Sequence, residues 1–125
     1  MGYIDALIAA VPKRSRELYT EHAQRVAAIL REHGALGVTG CWGGDDTEGE
    51  TRSFAGVVQC RADETPVLAW IMWPSRAARD AGLAAALADP RLVAEREAMG
   101  LDSRRLIHGA FEVAVGGPGV VALTA

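Results

Sequence analysis

The chain has 125 residues, of which 50% are hydrophobic and 23% are charged, a composition typical of one globular domain and not of a disordered chain. Its formal net charge of −3 argues against a general nucleic-acid binder, because such proteins need a clear excess of cations. The sequence has neither an apolar run of membrane-spanning length nor a charged segment leading into an apolar one, so we expect no membrane partner, no export signal and a cytoplasmic location.

Apolar periodicity and turn residues predict eight elements in the order β-α-β-β-β-α-α-β. Residues 3–11 read as a first strand that Pro12 closes, because proline cannot donate to a strand ladder. A long helix follows over residues 15–33, with Ser15 as its N-cap and Gly34 just beyond its end. The apolar stripe of this helix consists of Tyr19, Ala23, Val26, Ala27 and Leu30.

Four further strands and two further helices are predicted in the rest of the chain. The strands lie at residues 36–42, 54–61, 67–73 and 106–115, and a polar, glycine-containing connection occupies residues 43–52. One helix covers residues 75–88 with Ser75 as N-cap, and a shorter one starts at Asp89-Pro90 and stops at Gly100. Residues 1–115 are therefore interpreted as a single domain, and residues 116–125 as a C-terminal tail.

This order of elements favours an α+β, ferredoxin-like fold, in which an antiparallel sheet carries helices on one face. Both faces of the predicted strands are apolar. In the first strand Ile4 and Ile8 alternate with Tyr3 and Leu7, although a sheet with one wet face should alternate apolar with polar residues. Two main helices cover only one face, and a second copy of the chain is the simplest cover for the other. The sequence therefore predicts a homodimer packed sheet against sheet.

Several short motifs, spread over roughly residues 3–113, together resemble a known family. They are Tyr3-Ile4-Asp5, Ala10-Val11-Pro12, Gly34-Ala35-Leu36, Cys41-Trp42, Trp70-Ile71, Pro74-Ser75 with Arg79-Asp80, Asp89-Pro90-Arg91, and Arg105-Leu106-Ile107 with Gly109 and Phe111-Glu112. In this order they resemble the YbaA-like family of small bacterial proteins, a domain of unknown function. The resemblance implies a dimeric α+β barrel and brings no established activity.

Related dimeric α+β barrels include cofactor-free monooxygenases, haem-degrading enzymes and small-molecule isomerases, which is an analogy of fold only. Some of these oxygenases and haem degraders use an asparagine together with a tryptophan. The present chain contains Trp42, Trp70 and Trp73 but no asparagine, so that mechanism does not transfer to it.

Asp5, His108 and Glu112 are a first group of candidate catalytic residues. His108 and Glu112 are four residues apart on the last strand and share a face, which leaves Ile107 and Phe111 to pack against the helices. If Asp5 lies on the face of His108, its carboxylate and the imidazole converge in the dimer cavity and could serve general acid–base catalysis. A purely structural polar pair is the alternative interpretation.

His22 and Tyr19 form a second group, on the first helix. His22 borders the apolar stripe and could point into a pocket between helix and sheet, or it could simply sit at the rim of the core. We expect a ligand-binding cavity near Tyr19, His22, Trp70 and His108. His22 is also a candidate catalytic base.

Neither a metal site nor a cofactor is predicted. Four carboxylates fall in the segment Asp45-Asp46-Thr47-Glu48-Gly49-Glu50, but their spacing does not match an EF-hand and is typical of a solvated hairpin loop. The cluster Lys13-Arg14-Ser15-Arg16 could bind an anion or be a solvated surface patch. Cys41 and Cys60 form no CxxC pair, and we expect both to be buried as small hydrophobic residues.

Together these features predict a homodimeric domain that binds or senses a small molecule. The alternative is a cofactor-free enzyme, oxygenase- or isomerase-like, with His108 or His22 as base and Asp5 or Glu112 as the orienting acid.

Overall fold

The computed structural model describes residues 2–45 and 53–116, and it builds them around a four-stranded antiparallel sheet with the strand order β2-β3-β1-β4. The strands are β1 (Tyr3–Pro12), β2 (Gly37–Trp42), β3 (Glu64–Trp73) and β4 (Ile107–Glu112). The helices are α1 (Arg16–Glu32), α2 (Phe54–Val57), α3 (Arg76–Ala88) and α4 (Pro90–Met99), and a 3₁₀ turn, Lys13–Ser15, precedes α1. The predicted α+β, ferredoxin-like fold is confirmed. The predicted tail at 116–125 lies, from residue 117 onward, outside the described residues.

The prediction of a strand over residues 54–61 is wrong. This segment contains the short helix α2 followed by a turn. Ser53 Oγ accepts a hydrogen bond of 3.0 Å from the backbone N–H of Gly56, which starts the helix in the way N-cap serines do. Gln59 then has a φ of 53°, a left-handed conformation that interrupts an extended chain. An apolar run this short does not by itself distinguish a strand from a helical turn.

The ends of the later helices confirm the predicted caps. Ser75 Oγ accepts from the N–H of Ala78 at 3.1 Å, and Asp89 Oδ1 accepts from the N–H of Arg91 at 2.9 Å. Gly100 ends α4 in the left-handed conformation, which glycine adopts without steric cost. Ser15, by contrast, makes no capping hydrogen bond from its side chain.

The main core lies between the sheet and the helices α1, α3 and α4. It consists of Ile29, Leu30, Ala35, Ile71, Trp73, Ala86 and Leu92. Helix α3 approaches the sheet closely at Gly82, where a Cβ atom would lie only 2.5 Å from the indole ring of Trp73. A second, smaller cluster of Ala9, Val11 and Val67 packs with Tyr19, Trp42, Leu101 and Leu106 toward one end of the sheet.

The opposite face of the sheet is apolar, and α1, α3 and α4 do not pack on it. The register pairs Ile4, Ala6 and Ile8 of β1 with Met72, Trp70 and Leu68 of β3, and with Phe111, Gly109 and Ile107 of β4. Because paired residues share a face and neighbouring residues alternate, this set lies opposite to Asp5 and Ile71. We call it the open face.

The register overturns two expectations. Ile107 and Phe111 do not pack against the helices: they lie on the open face and are 39% and 55% exposed. His108 pairs with Leu7 instead, on the helix side of the sheet. Cys41 is exposed rather than buried, because it lies on the edge strand β2 opposite Leu68 of the open face.

Within the described ranges 2–45 and 53–116, helices long and apolar enough to cross a bilayer are absent.

Candidate functional site

A cleft of about 360 Å³ opens where the end of β1 meets the start of α1 and the segment that follows α4. Its apolar walls are Val11, Leu18, Met99 and Leu101, and its polar walls include Ser15, Tyr19, His22, Arg61, Glu64 and Arg105. The lining is more polar than apolar, and the volume is in the range of small-molecule sites.

His22 is the buried titratable residue of this cleft. The residue is 9% exposed, and its Nδ1 lies 2.6 Å from Oε2 of Glu95 on α4. The second carboxylate oxygen of Glu95, Oε1, accepts a hydrogen bond of 2.6 Å from Nε of Arg25. Hydrogen bonds from Arg25 and then from His22 lower the pKa of Glu95, so this carboxylate is ionised at neutral pH.

The contact with Glu95 determines which nitrogen of His22 carries the proton. An ionised carboxylate only accepts hydrogen bonds, so Nδ1 must be the donor in the 2.6 Å contact. Nη2 of Arg25 lies 2.9 Å from the same Nδ1 but cannot donate to a nitrogen that already carries hydrogen. The neutral imidazole therefore keeps its lone pair on Nε2.

Nε2 of His22 is not fully buried, and His22 lines the cleft. Every buried side-chain nitrogen or oxygen in the described part of the chain has a hydrogen-bond partner. Nε2 has no such partner among these residues, so it is not buried, and His22 is one of the cleft's lining residues. An imidazole held by a carboxylate on one nitrogen, with a lone pair on the other, can accept a hydrogen bond or a proton from a bound molecule.

Glu95 was missed by the sequence analysis. It lies 73 residues from His22, on a helix whose local pattern contains no histidine and no motif. Only the packing of α4 against α1 brings the carboxylate to the imidazole. The pairs proposed from the sequence, with Asp5 or Glu112, therefore do not include the acid that holds His22.

One wall of the cleft is a salt bridge between two nearly buried side chains. Arg105 donates from Nη1 and Nη2 to the two oxygens of Glu64, at 2.7 and 3.0 Å, and from Nε to Asp102 at 3.0 Å. The hydrogen bonds from Arg105 lower the pKa of Glu64 to about 2. These hydrogen bonds hold the three side chains together along this wall of the cleft.

Asp5 and His108 do come together, but on the helix side of the sheet and not in the dimer cavity that the sequence analysis anticipated. Oδ1 of Asp5 lies 2.9 Å from Nε2 of His108. The same carboxylate, 1% exposed, accepts from the indole N–H of Trp73 at 2.9 Å and from Nη2 of Arg79 at 2.9 Å. Burial alone would raise the pKa of Asp5, but the hydrogen bonds from Arg79, His108 and Trp73 outweigh it and hold the pKa below its usual value.

The cluster of Asp5, His108, Trp73 and Arg79 connects elements of the fold and is not part of the cleft. The Asp5 carboxylate is occupied by three donors from β3, α3 and β4, and neither Asp5 nor His108 lines the cleft. Glu112 makes no hydrogen bond or salt bridge with either of them. His108 itself is accessible, with 41% of its side chain exposed.

The four residues predicted to share a ligand cavity do not converge. Tyr19 and His22 line the cleft, while His108 pairs with Asp5. Trp70 pairs with Ala6 and lies on the open face. Residues 46–52 of the predicted acidic loop lie outside the described residues. Elsewhere, within 2–45 and 53–116, groups of three or more potential metal ligands do not occur.

Comparison with known proteins assigns the chain to a family. A family described as "Protein of unknown function (DUF1428)" matches residues 2–103. The chain belongs to this family. The "Uncharacterized protein YbaA" of Escherichia coli strain K12 is 36% identical to it over 112 residues, which cover 90% of this chain and 96% of the relative. A protein of the same name from Shigella flexneri has the same identity and coverage.

Solved structures share the fold of this DUF1428 member at low sequence identity. SnoaB, a cofactor-independent oxygenase from Streptomyces nogalater, has a TM-score of 0.57 at 15% identity, over 94% of this chain and 96% of that one. A protein assigned to antibiotic biosynthesis monooxygenases, from Nitrosomonas europaea, has a TM-score of 0.61 at 13% identity, over 90% of each chain. A dimeric ferredoxin-like protein from an uncultured marine organism has a TM-score of 0.61 at 10% identity, over 94% of this chain and 100% of that one.

Proposed function

We propose that this chain is a homodimeric small-molecule-binding domain that seats its ligand in the cleft at Tyr19 and His22. The observation that carries the proposal is the accessible Nε2 of His22, fixed as an acceptor by the 2.6 Å contact of Nδ1 with Glu95. A ligand hydroxyl or N–H would donate to this nitrogen while its apolar part packs against the apolar walls.

The homodimer is supported by the open face. Trp70, Leu68, Ile8 and Phe111 lie on one side of the sheet, and the helices of the main core lie on the other. A contiguous apolar surface of this kind is characteristic of an interface, and an isologous pairing would cover it with itself. The likeness to a structure whose name describes it as dimeric agrees with this arrangement.

The dimer is tested with a charge on the open face. Native mass spectrometry of the wild type should show a dimer, whereas Phe111→Glu should be monomeric, because it buries an unpaired carboxylate in the interface. Leu87→Glu is the matched control, since Leu87 is an exposed leucine of α3, on the helix side. A monomeric wild type, or equal loss of the dimer in both variants, would count against the proposed interface.

Ligand binding is tested with phenol, a neutral probe that offers an apolar ring and one O–H donor. Nitrogen-detected NMR of the histidine rings should show a shift at Nε2 of His22 on titration with phenol. Ala98→Trp should abolish this shift, because residue 98 is exposed and lines the cleft, so the indole fills the opening without entering the core. Ala85→Trp, at an exposed position of α3, should leave it unchanged. An unshifted His22 in the wild type at saturating phenol would refute binding at this site.

A second candidate function is a cofactor-free enzyme of the isomerase type, with His22 as base and Glu95 as the acid that orients it. The fixed tautomer of His22 favours it, because a general base needs its lone pair directed at the substrate proton. Deuterium exchange at C3 of phenylpyruvate in D₂O, followed by proton NMR, tests it. His22→Gln should remove the excess exchange over buffer. His33→Gln is the control, because His33 also pairs with a carboxylate, Asp89 at 2.9 Å, but does not line the cleft.

A further inference from the structure

We infer that protonation of His22 releases the ligand: a molecule that donates a hydrogen bond to Nε2 is held while the imidazole is neutral and leaves when the imidazole becomes cationic. The inference rests on the proposed function, because it concerns the regulation of the same cleft. Ligand and proton compete for one lone pair, so each weakens the binding of the other.

The first step is the place to which the incoming proton must go. Nδ1 of His22 already carries hydrogen and donates it to Oε2 of Glu95 at 2.6 Å. The incoming proton therefore binds Nε2, the nitrogen that would accept from the ligand. Nε2 is not fully buried, and within the described part of the chain no donor occupies its lone pair.

The second step is the contact that stays fixed when the ring titrates. An ionised carboxylate accepts from Nδ1–H of a neutral and of a cationic imidazole alike, so protonation at Nε2 is compatible with the contact to Glu95. Hydrogen bonds from Arg25 and then from His22 lower the pKa of Glu95, so this carboxylate is not the group that takes up the proton. The ring therefore keeps its orientation while Nε2 changes from an acceptor to a donor.

The third step is the remaining charge of the cleft, which is constant between about pH 5 and 8, where imidazoles ordinarily titrate. Hydrogen bonds lower the pKa of Asp102 and that of Glu64, the latter to about 2. Burial raises the pKa of Tyr19 above its ordinary value of 10.0, so this residue stays a neutral phenol. The lining arginines, Arg61 and Arg105, stay protonated. Among the described lining residues, the imidazole is thus the group left to change its charge in this range.

The consequence is a ligand preference that reverses with pH. Neutral His22 accepts from an O–H or N–H of the ligand, whereas the cationic ring donates from Nε2 and so opposes a second donor. A ligand that places a carbonyl oxygen at the same point has the opposite preference. The apolar walls, Val11, Met99 and Leu101, are available to both kinds of ligand.

Two neutral probes of similar shape test the inference. Indole offers an N–H that only donates, and 1-indanone offers a carbonyl that only accepts. Their dissociation constants are measured by NMR titration one pH unit above and one pH unit below the midpoint of the His22 titration. The dissociation constant of indole should rise about tenfold at the lower pH, because only about a tenth of the imidazoles are then neutral. 1-Indanone should bind more tightly at the lower pH.

The reciprocal measurement needs no variant. Saturating indole should move the titration midpoint of His22, read from the ring nitrogen shifts, to lower pH, and 1-indanone should move it to higher pH. His33 and His108 are internal controls in the same spectra, because each contacts a carboxylate, of Asp89 and Asp5 respectively, and neither lines the cleft. Their midpoints should not respond to either probe.

A variant assigns the pH dependence to the residue. In His22→Gln the new amide can still donate to Glu95 but takes up no proton in this range, so the affinity for indole should no longer change with pH. His33→Gln, which removes a histidine outside the cleft, should keep the wild-type dependence.

The results separate this inference from the proposed function beneath it. If the probes bind at His22 with affinities that stay constant across its titration, or if both weaken together at low pH, the competition with the proton is overturned while the cleft remains a binding site. A pH dependence that persists in His22→Gln would belong to another group and would also overturn the inference. If indole, 1-indanone and phenol all leave His22 unperturbed, the proposed binding function fails and the inference fails with it.

Discussion

Nδ1 of His22 and Oε2 of Glu95 lie 2.6 Å apart and connect α1 to α4. The contact holds two helices together at the wall of the cleft and sets the protonation of the imidazole. The same hydrogen bond thus links the packing of the helical layer to the chemistry that the cleft presents to a ligand.

Glu95→Gln should redistribute the tautomers of His22. The glutamine amide is neutral and offers both an acceptor and a donor, so it no longer requires hydrogen on Nδ1. We expect the tautomer protonated on Nε2 to gain population, and the affinity for phenol to fall because the acceptor is then partly lost. Nitrogen chemical shifts of the imidazole measure the tautomer ratio. Glu97→Gln, an exposed change on the same helix, should leave the ratio as in the wild type, and an unaltered ratio in Glu95→Gln would contradict the assigned donor.

Asp5→Asn should destabilise the protein by about 3 kcal/mol, because it removes the buried counterion of the partly buried Arg79 guanidinium and leaves only the exposed Asp80 to pair with it. The side chain of Asp5 is 1% exposed and that of Arg79 is 20% exposed. Urea unfolding at pH 7 measures the free energy of unfolding. Asp80 also pairs with Arg79 but is 54% exposed, so Asp80→Asn should cost less than about 1 kcal/mol. Similar losses in the free energy of unfolding for the two variants would show that the buried carboxylate stabilises the fold no more than the exposed one does.

The stability of the fold should decline in acid partly through Glu64. Its pKa is about 2 in the folded chain, against an ordinary value of 4.5, so the folded state binds the proton more weakly than the unfolded state. The stabilisation is complete above about pH 4.5 and is lost as the pH falls toward 2. The free energy of unfolding, measured by urea from pH 7 to pH 2, should fall less steeply in Glu64→Gln over this window. The exposed change Glu21→Gln should retain the wild-type slope, and identical slopes in all three proteins would refute the role of Glu64.

Gly82→Ala should destabilise the chain, although alanine favours helices by about 1 kcal/mol over glycine. The new methyl group would lie 2.5 Å from a ring carbon of Trp73, which is 1% exposed and cannot move aside. We expect a net loss of about 1–3 kcal/mol in thermal or urea unfolding. Ala84→Gly, at an exposed position of the same helix, should cost about 1 kcal/mol from propensity alone. A Gly82→Ala protein more stable than the wild type would show that α3 can shift away from the sheet.

The fold was predictable where a pattern is long or where a terminating residue is chemically specific. The helix near residues 15–33 and the caps at Ser75 and Asp89 depend on local sequence, and the structure confirms them. The prediction of a strand over residues 54–61 failed because the few apolar residues of this segment fit the period of a helix as well as that of a strand. A single hydrogen bond from Ser53 and the positive φ of Gln59 decide its conformation.

The candidate site was predictable only in part, because its contacts are long-range. The proximity of Asp5 to His108 follows from adjacent first and last strands, but the face on which they lie depends on a register that the apolar strands leave open. Arg79 and Glu95, which hold Asp5 and His22, come from helices whose rotation about their axes the sequence does not specify. The positions of Arg79 and Glu95 next to Asp5 and His22 were therefore evident only from the packed structure.

The pairing of β1 with β4 has a consequence for how the chain folds. Asp5 and His108 are 103 residues apart, so the sheet is completed by joining segments from distant parts of the sequence. Closing so long a loop is entropically costly, and contacts of this kind are characteristic of slow-folding topologies. During synthesis, β1 can pair with β3 well before β4 leaves the ribosome. Until then, one edge of β1 and the buried position of Asp5 stay open to water, and this interval is when the nascent chain is most exposed to incorrect strand pairing.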